Sequence, residues 1–142
     1  MLDHVFTDAI GALRDILEQA LLERQAFEER FQVDVLLGPR ADWFTADARR
    51  RFTDQTWTVT PRSNRVGLRL AGPEPLERAQ TGELPSEGTV PGAVQIPPNG
   101  QPVVFTADHP VTGGYPVIGY VADADVDRCA QLAPGQRIRF RR

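Results

Sequence analysis

The sequence predicts a mainly β fold, a small barrel or sandwich preceded by one long amphipathic helix and supplemented by two short ones. Three observations predict it. Beyond residue 32 the apolar residues recur in short, alternating runs, the period of strands that bury one face. Twelve glycines and twelve prolines, nearly all between residues 38 and 135 and without repeat, punctuate those runs as tight turns would. One hairpin is written out almost in full, Val94-Gln95-Ile96-Pro97-Pro98-Asn99-Gly100-Gln101-Pro102-Val103-Val104-Phe105.

Residues 3 to about 31 read as a single helix. Phe6, Ala9, Leu13, Ile16 and Ala20 follow spacings of three and four, and Val5, Ile10, Leu17 and Leu21 widen the stripe. The seam lasts barely two heptads before Glu23, too short for an independent coiled coil, so it is expected to dock on its own barrel or on another subunit. Residues 1–32 are therefore assigned to packing or assembly, and residues 33–142 to the β domain.

Val33, Val35 and Leu37 alternate with Asp34 and Leu36 until Gly38-Pro39. Thr45 is placed to cap a helix over Ala46 to Phe52, with Asp47 near its positive end. Trp57 and Val59 form a strand face, and Val66, Leu68 and Leu70 another, opposite Arg65, Gly67 and Arg69. Residues 73–85 read as an irregular, mobile surface connection in which nothing catalytic stands out. Val117 to Val121, a helix over Asp123 to Leu132, and a last strand over Gln136 to Arg141 complete the domain.

Asn99-Gly100 is a strong signal for a two-residue type I′ turn. That turn would pair Ile96 with Val103, Gln95 with Val104 and Val94 with Phe105. Val94, Ile96, Val103 and Phe105 would then share the core face, leaving Gln95 pointing away from the core near a rim. Polar, glycine-bearing loops flank the hairpin at Ser86-Glu87-Gly88 and Thr112-Gly113-Gly114-Tyr115. Each reads either as a plain turn or as one rim of a cleft, with hydroxyls, a carboxylate and closely approachable backbone as its donors and acceptors. Gln95 can donate and accept against an amide or simply make a rim hydrogen bond. Asp108 either orients a substrate nitrogen or caps a loop. Trp43 and Phe44 read as core or interface anchors.

Composition excludes several chemistries. All sixteen basic residues are arginine, so this chain carries no Schiff-base lysine, no phosphate-binding Walker lysine and no biotinyl-lysine. A net charge of −3 leaves no electrostatic footprint for nucleic acid, and Arg49-Arg50-Arg51 reads as a solvated helix end. Nothing in the sequence approaches the length of an apolar membrane span. His4 and His109 lack the accompanying ligands of a metal site. A lone Cys129 and the absence of a signal-like start point to the cytoplasm.

Four blocks, GPRADWFT (38–45), SNRVGLRLAGP (63–73), SEGTVPGAVQIPPNGQP (86–102) and TADHPVTGGYP (106–116), together resemble the C-terminal half of the biotin-dependent carboxyltransferase family. That family includes the carboxyltransferase region of urea amidolyase, allophanate hydrolase subunit 2-like proteins, the C-type subunit of 5-oxoprolinase and the antagonist of a sporulation-kinase inhibitor. The resemblance covers about residues 33–142 and implies a cyclophilin-like β-barrel acting in the cytoplasm. It implies catalytic roles for Thr112, Tyr115 and Gln95, and substrate binding by Asn64, Arg65, Ser86, Glu87, Gly113, Gly114 and Asp108. Carboxybiotin or ATP would come from a partner, a homologous subunit or a second copy of the chain, and the substrate would be a small urea-like or lactam amide. The sequence departs from the family at Arg40 and at His109-Pro110-Val111, and it lacks the Gly-rich QDxGRxG and SGAMD-like blocks of the family's N-terminal half. Two functions are thus expected to compete: a truncated or split enzyme subunit, and a non-catalytic binding or regulatory module that assembles through its N-terminal helix.

Overall fold

A computed structural model describes the backbone of residues 2–142 and the side chains of residues 5–24 and 31–142. It divides into two units, residues 1–31 and 32–142. The first is one continuous helix, α1 (Leu2–Arg30). The apolar side chains of its predicted stripe are exposed, from 46% at Ile10 to 68% at Phe6, although a stripe of this kind is what an amphipathic helix ordinarily buries. No helix among the described residues is long and apolar enough to cross a membrane.

The second unit is built, among the described residues, on nine strands: β1 (Gln32–Leu37), β2 (Trp57–Val59), β3 (Gly67–Ala71), β4 (Glu87–Gly88), β5 (Ala93–Gln95), β6 (Val103–Phe105), β7 (Thr112–Gly113), β8 (Val117–Val121) and β9 (Arg137–Arg141). Seven of them close into a barrel in the order β1-β8-β5-β6-β3-β2-β9, while β4 and β7 pair only with each other. All neighbours in the wall are antiparallel except β1 and β9, which run parallel and complete it. Closure leaves no free sheet edge. Inward residues fill the barrel, with Val33, Trp57, Val59, Leu70, Val94, Ile96, Val104, Ile118, Ile138 and Phe140 all buried. The helix α2 (Ala46–Asp54) begins where expected, with the Thr45 hydroxyl accepting from the Ala48 N–H at 3.0 Å. Its Phe52 ring lies 4.5 Å from that of Phe140, and its Phe52 carbonyl accepts from the Trp57 indole at 3.1 Å. The short helix α3 (Asp123–Ala130) is tied to β1, since the Asp125 carboxylate accepts from the Asp34 N–H at 2.9 Å.

The hairpin register differs from expectation by one residue. Val94 pairs with Val104 and Gln95 with Val103. Asn99 is not in the left-handed region; only Gly100 is, at φ +73°. The Gly100 N–H donates to the Pro97 carbonyl at 2.9 Å, so the turn centres on Pro98-Asn99, where the fixed φ of proline suits the first central position, and Gly100 follows it. A single-residue slip exchanges faces. Val104 therefore joins Val94 and Ile96 inside the barrel, while Val103 and Phe105 lie outside it. There they form a second buried cluster with Ala93 and Val117. Gln95 shares that outer face and is only 8% exposed, rather than standing at an open rim.

Candidate functional site

Beside Gln95 on this outer face lies the two-stranded ribbon of β4 and β7. Glu87 pairs with Gly113 and Gly88 with Thr112, so the two glycine-bearing segments are paired strands of one ribbon. Gly113 is where the ribbon meets the barrel. A β-carbon there would lie 2.7 Å from Gln95 Nε2 and 3.3 Å from Thr89 Cγ2. The missing side chain is what admits the Gln95 amide beneath the strand. Gly114 faces open space, so a ligand can approach its backbone. Tyr115 follows, 45% exposed. The next residue, Pro116, accepts from the Ile96 N–H at 3.0 Å and ties the loop to the hairpin.

Two arginines flank this ribbon. Arg40 donates through Nε to Glu87 Oε1 at 2.9 Å, with a second contact from Nη2, and lies over the Trp43 ring at 5.7 Å. Its charge is neutralised, and Glu87 is engaged within the protein rather than left for a ligand. Arg78 donates through Nη2 to the Ile96 carbonyl at 3.1 Å and sits over the Tyr115 ring at 6.0 Å. The segment that bears it, residues 73–85, is more firmly held than its composition suggests. Leu76 is buried, and its N–H donates to the Gly100 carbonyl. The Thr45 N–H donates to the Glu77 carbonyl, and the Ala79 N–H to that of Trp43 at 2.8 Å.

At the far end of the ribbon, His109 Nδ1 lies 3.0 Å from the Thr89 hydroxyl and 2.8 Å from the Pro110 carbonyl. Thr89 also donates to the Pro110 carbonyl. The imidazole stacks 6.2 Å from Phe105, which ties the loop after β6 to the ribbon.

The structure gathers Gln95, Glu87, Thr112, Gly113, Gly114 and Tyr115 at one place, with Ser86 exposed at the start of β4. Asn64, Arg65 and Asp108 form a separate group. Asn64 Oδ1 accepts from the Val66 and Gly67 N–H groups at 2.9 and 3.3 Å, which makes it a turn former. Arg65 lies before β3 rather than on its face with Arg69. It pairs with Asp108 at 3.1 Å while its side chain stays 85% exposed. Asn64 and Arg65 border a different groove of about 370 Å³ with Leu68, Thr106 and Leu132. Sequence reasoning missed Arg78, Thr89 and the structural pairing of Arg40. Each acts across a long sequence separation, so no local spacing announces it. His4 lies outside the residues whose side chains are described.

The family model of the carboxyltransferase domain, subdomains A and B, matches residues 8–142. The chain belongs to that family. The match takes in most of α1, which the four sequence blocks had left outside. The C-type subunit of 5-oxoprolinase from Escherichia coli K12 is 38% identical over 127 residues, which are 89% of this chain and 40% of that protein. Urea amidolyase of Saccharomyces cerevisiae is 28% identical, covering 93% of this chain and 8% of that one. The crystal structure of K. lactis urea amidolyase superposes with a TM-score of 0.71 at 29% identity, over 77% of this chain and 7% of the other. This chain thus spans about two fifths of the length of the first curated relatives that it matches. The barrel fold is shared with the solved relative.

Proposed function

We propose that the barrel contributes one wall of an amide-processing site, as a subunit of a carboxyltransferase or 5-oxoprolinase-type assembly acting on urea-like or lactam substrates. The observation that carries this reading is the Gln95 side-chain amide, buried under Gly113, whose chain neighbours are Thr112, Gly114 and Tyr115. An amide or urea presents one carbonyl acceptor and N–H donors, and a carboxamide can meet both. Attack on such a group, or removal of its proton, builds negative charge on oxygen, which fixed donors stabilise more than mobile water does. Thr112, Tyr115 and the backbone of Gly113-Gly114 are the donors in this wall. Glu87 is held by Arg40, so its role here is to fix the ribbon.

Among the described residues no hydrogen bond joins the Thr112 or Tyr115 hydroxyl to a base, and the chain has no lysine. Carboxybiotin or ATP chemistry, and the second wall, would come from a partner: a homologous subunit or a second copy of this chain. Two relatives named as 5-oxoprolinase subunits support an assembly, and the exposed apolar stripe of α1 offers it a face.

In the reconstituted assembly, Gln95→Ala should lower kcat/KM by about 10- to 100-fold. Thr112→Ala and Tyr115→Phe should lower it by smaller factors, with circular dichroism and melting temperature unchanged for both. Unaltered turnover in all three variants would remove the assignment. Retained binding of a lactam to this chain with no turnover in any assembly would favour the non-catalytic module instead.

A further inference from the structure

The Gln95 carboxamide makes no hydrogen bond among the described residues, and a β-carbon at Gly113 would stand 2.7 Å from its Nε2. An enclosed amide without a partner is costly, and the strand lying across it stands between it and a substrate. The ribbon that encloses it is held unequally at its two ends. β4 and β7 pair with each other and join no strand of the barrel. Where the chain passes between β6 and β7 the fastening is extensive. The Asp108 N–H donates to the Arg65 carbonyl at 3.0 Å, the His109 ring stacks on Phe105, and the Thr89 hydroxyl lies 3.0 Å from His109 Nδ1. At the opposite end, residues 81–86 lead into β4 with no backbone hydrogen bond among the described residues. Gly82 and Gly114, on either side of that end, both face open space. Beyond Gly114 the chain is next fixed where the Tyr115 ring meets Arg78 and the Pro116 carbonyl accepts from Ile96. What fastens the end itself is the pair of Arg40 with Glu87, both half-buried, with Arg40 placed over the Trp43 ring.

We infer that the ribbon is a movable cover over Gln95, hinged at its His109 end and latched at its Glu87 end by Arg40. This rests on the reading of Gln95 as part of an amide site and says how that site is opened. Release of one ion pair frees the end that carries Gly113, and the population of the open form then sets access to the amide. The latch is a charge-assisted pair partly open to water, so its loss raises the open population by about three- to tenfold rather than by orders of magnitude.

The test is the exchange of the Gln95 side-chain amide protons with water, followed by NMR on the isotopically labelled full chain. Glu87→Ala should exchange about three- to tenfold faster than wild type at Gln95. The backbone amides of Leu70 and Val121, bonded within the barrel to the Pro102 and Gly92 carbonyls, should keep their rates. Arg40→Gln removes the same ion pair from the other side, should act alike, and decides the matter if Glu87→Ala does not fold. An unaltered rate at Gln95 in the folded variants, or an equal acceleration at Leu70 and Val121, would overturn the cover. Titration with 2-pyrrolidinone, a neutral lactam, separates this from the amide reading, on which it should shift the Gln95 side-chain resonances. A shift with unaltered exchange would remove the cover and leave the amide wall standing, whereas faster exchange with no shift would keep the latch and remove the wall.

Discussion

A methyl group added at Gly113 would meet the end of the Gln95 side chain at 2.7 Å, and one added at Gly100 would meet Pro75 Cβ at 2.6 Å and the Leu76 backbone nitrogen at 2.8 Å. The two clashes have different consequences. Gln95 can swing its amide away, whereas backbone cannot move so cheaply, and Gly100 also sits at φ +73°, where alanine is strained by roughly 1–2 kcal/mol. Gly113→Ala should therefore cost less than about 1 kcal/mol of stability while reducing turnover about as much as Gln95→Ala does. Gly100→Ala should cost about 2 kcal/mol or more. Urea unfolding paired with the assembly assay checks both, and a reversed order would refute the assignment of Gly113 as the Gln95 window. Cys129 belongs to the structure at this scale. Burial, with Asp125 nearby, pushes its thiol up to about 12, so it stays a protonated, buried small apolar group at neutral pH.

At the scale of elements, α3 is tied to β1 by the Asp125 carboxylate on the Asp34 N–H and by the Arg128 guanidinium on the Gln32 carbonyl at 3.2 Å. The Asp34 N–H holds the Asp125 carboxyl below its usual range, opposed by burial and assisted by Arg128 at 2.9 Å. A depressed folded value means that the native state binds its proton less readily than the unfolded chain. The resulting stability is present above the unfolded value of about 3.9 and is lost as pH falls through the folded one. Asp125→Asn should thus lower unfolding stability by about 1 kcal/mol at neutral pH, with the difference from wild type shrinking toward zero as the pH is brought below about 3.9. A gap of constant size across that range would show that the charge contributes nothing. The hairpin teaches a related lesson about elements. Its strands, Ala93–Gln95 and Val103–Phe105, are buried on both faces, so alternation cannot choose their register, and the turn chooses it instead. Pro98 shifts that turn by one residue from the Asn-Gly expectation.

For the whole molecule, the exposed stripe of α1 is the feature whose consequence depends on assembly. Leu13→Glu and Ile16→Glu change exposed apolar positions of the α1 unit. Measured by sedimentation velocity on the full chain, or on its mixture with a homologous subunit, they should lower the assembled mass while leaving the barrel's melting temperature in place. An unshifted mass would count against α1 as the assembly face. Binding partners that cover only folded protein would also raise the melting temperature as their concentration rises, a second reading of the same interface.

Much of the fold is legible in local pattern. Thr45 caps α2, Gly-Pro pairs end strands, and period-two alternation marks β1, β3 and β9, because caps, turns and one-sided burial depend on a few neighbouring residues. The four motif blocks contain both strands of the ribbon, but the pairing of Glu87 with Gly113 and of Gly88 with Thr112 is not written in them. Tertiary structure alone decided what those blocks face. It closed β1 on β9, moved Val103 and Phe105 outside the barrel, buried Gln95, withdrew Glu87 into a pair with Arg40, and carried Arg78 from an unremarkable connection to the Tyr115 ring. The reason is that each of these depends on groups distant in sequence, whose meeting follows from barrel closure and hairpin register, and neither is encoded in the spacing of any one segment.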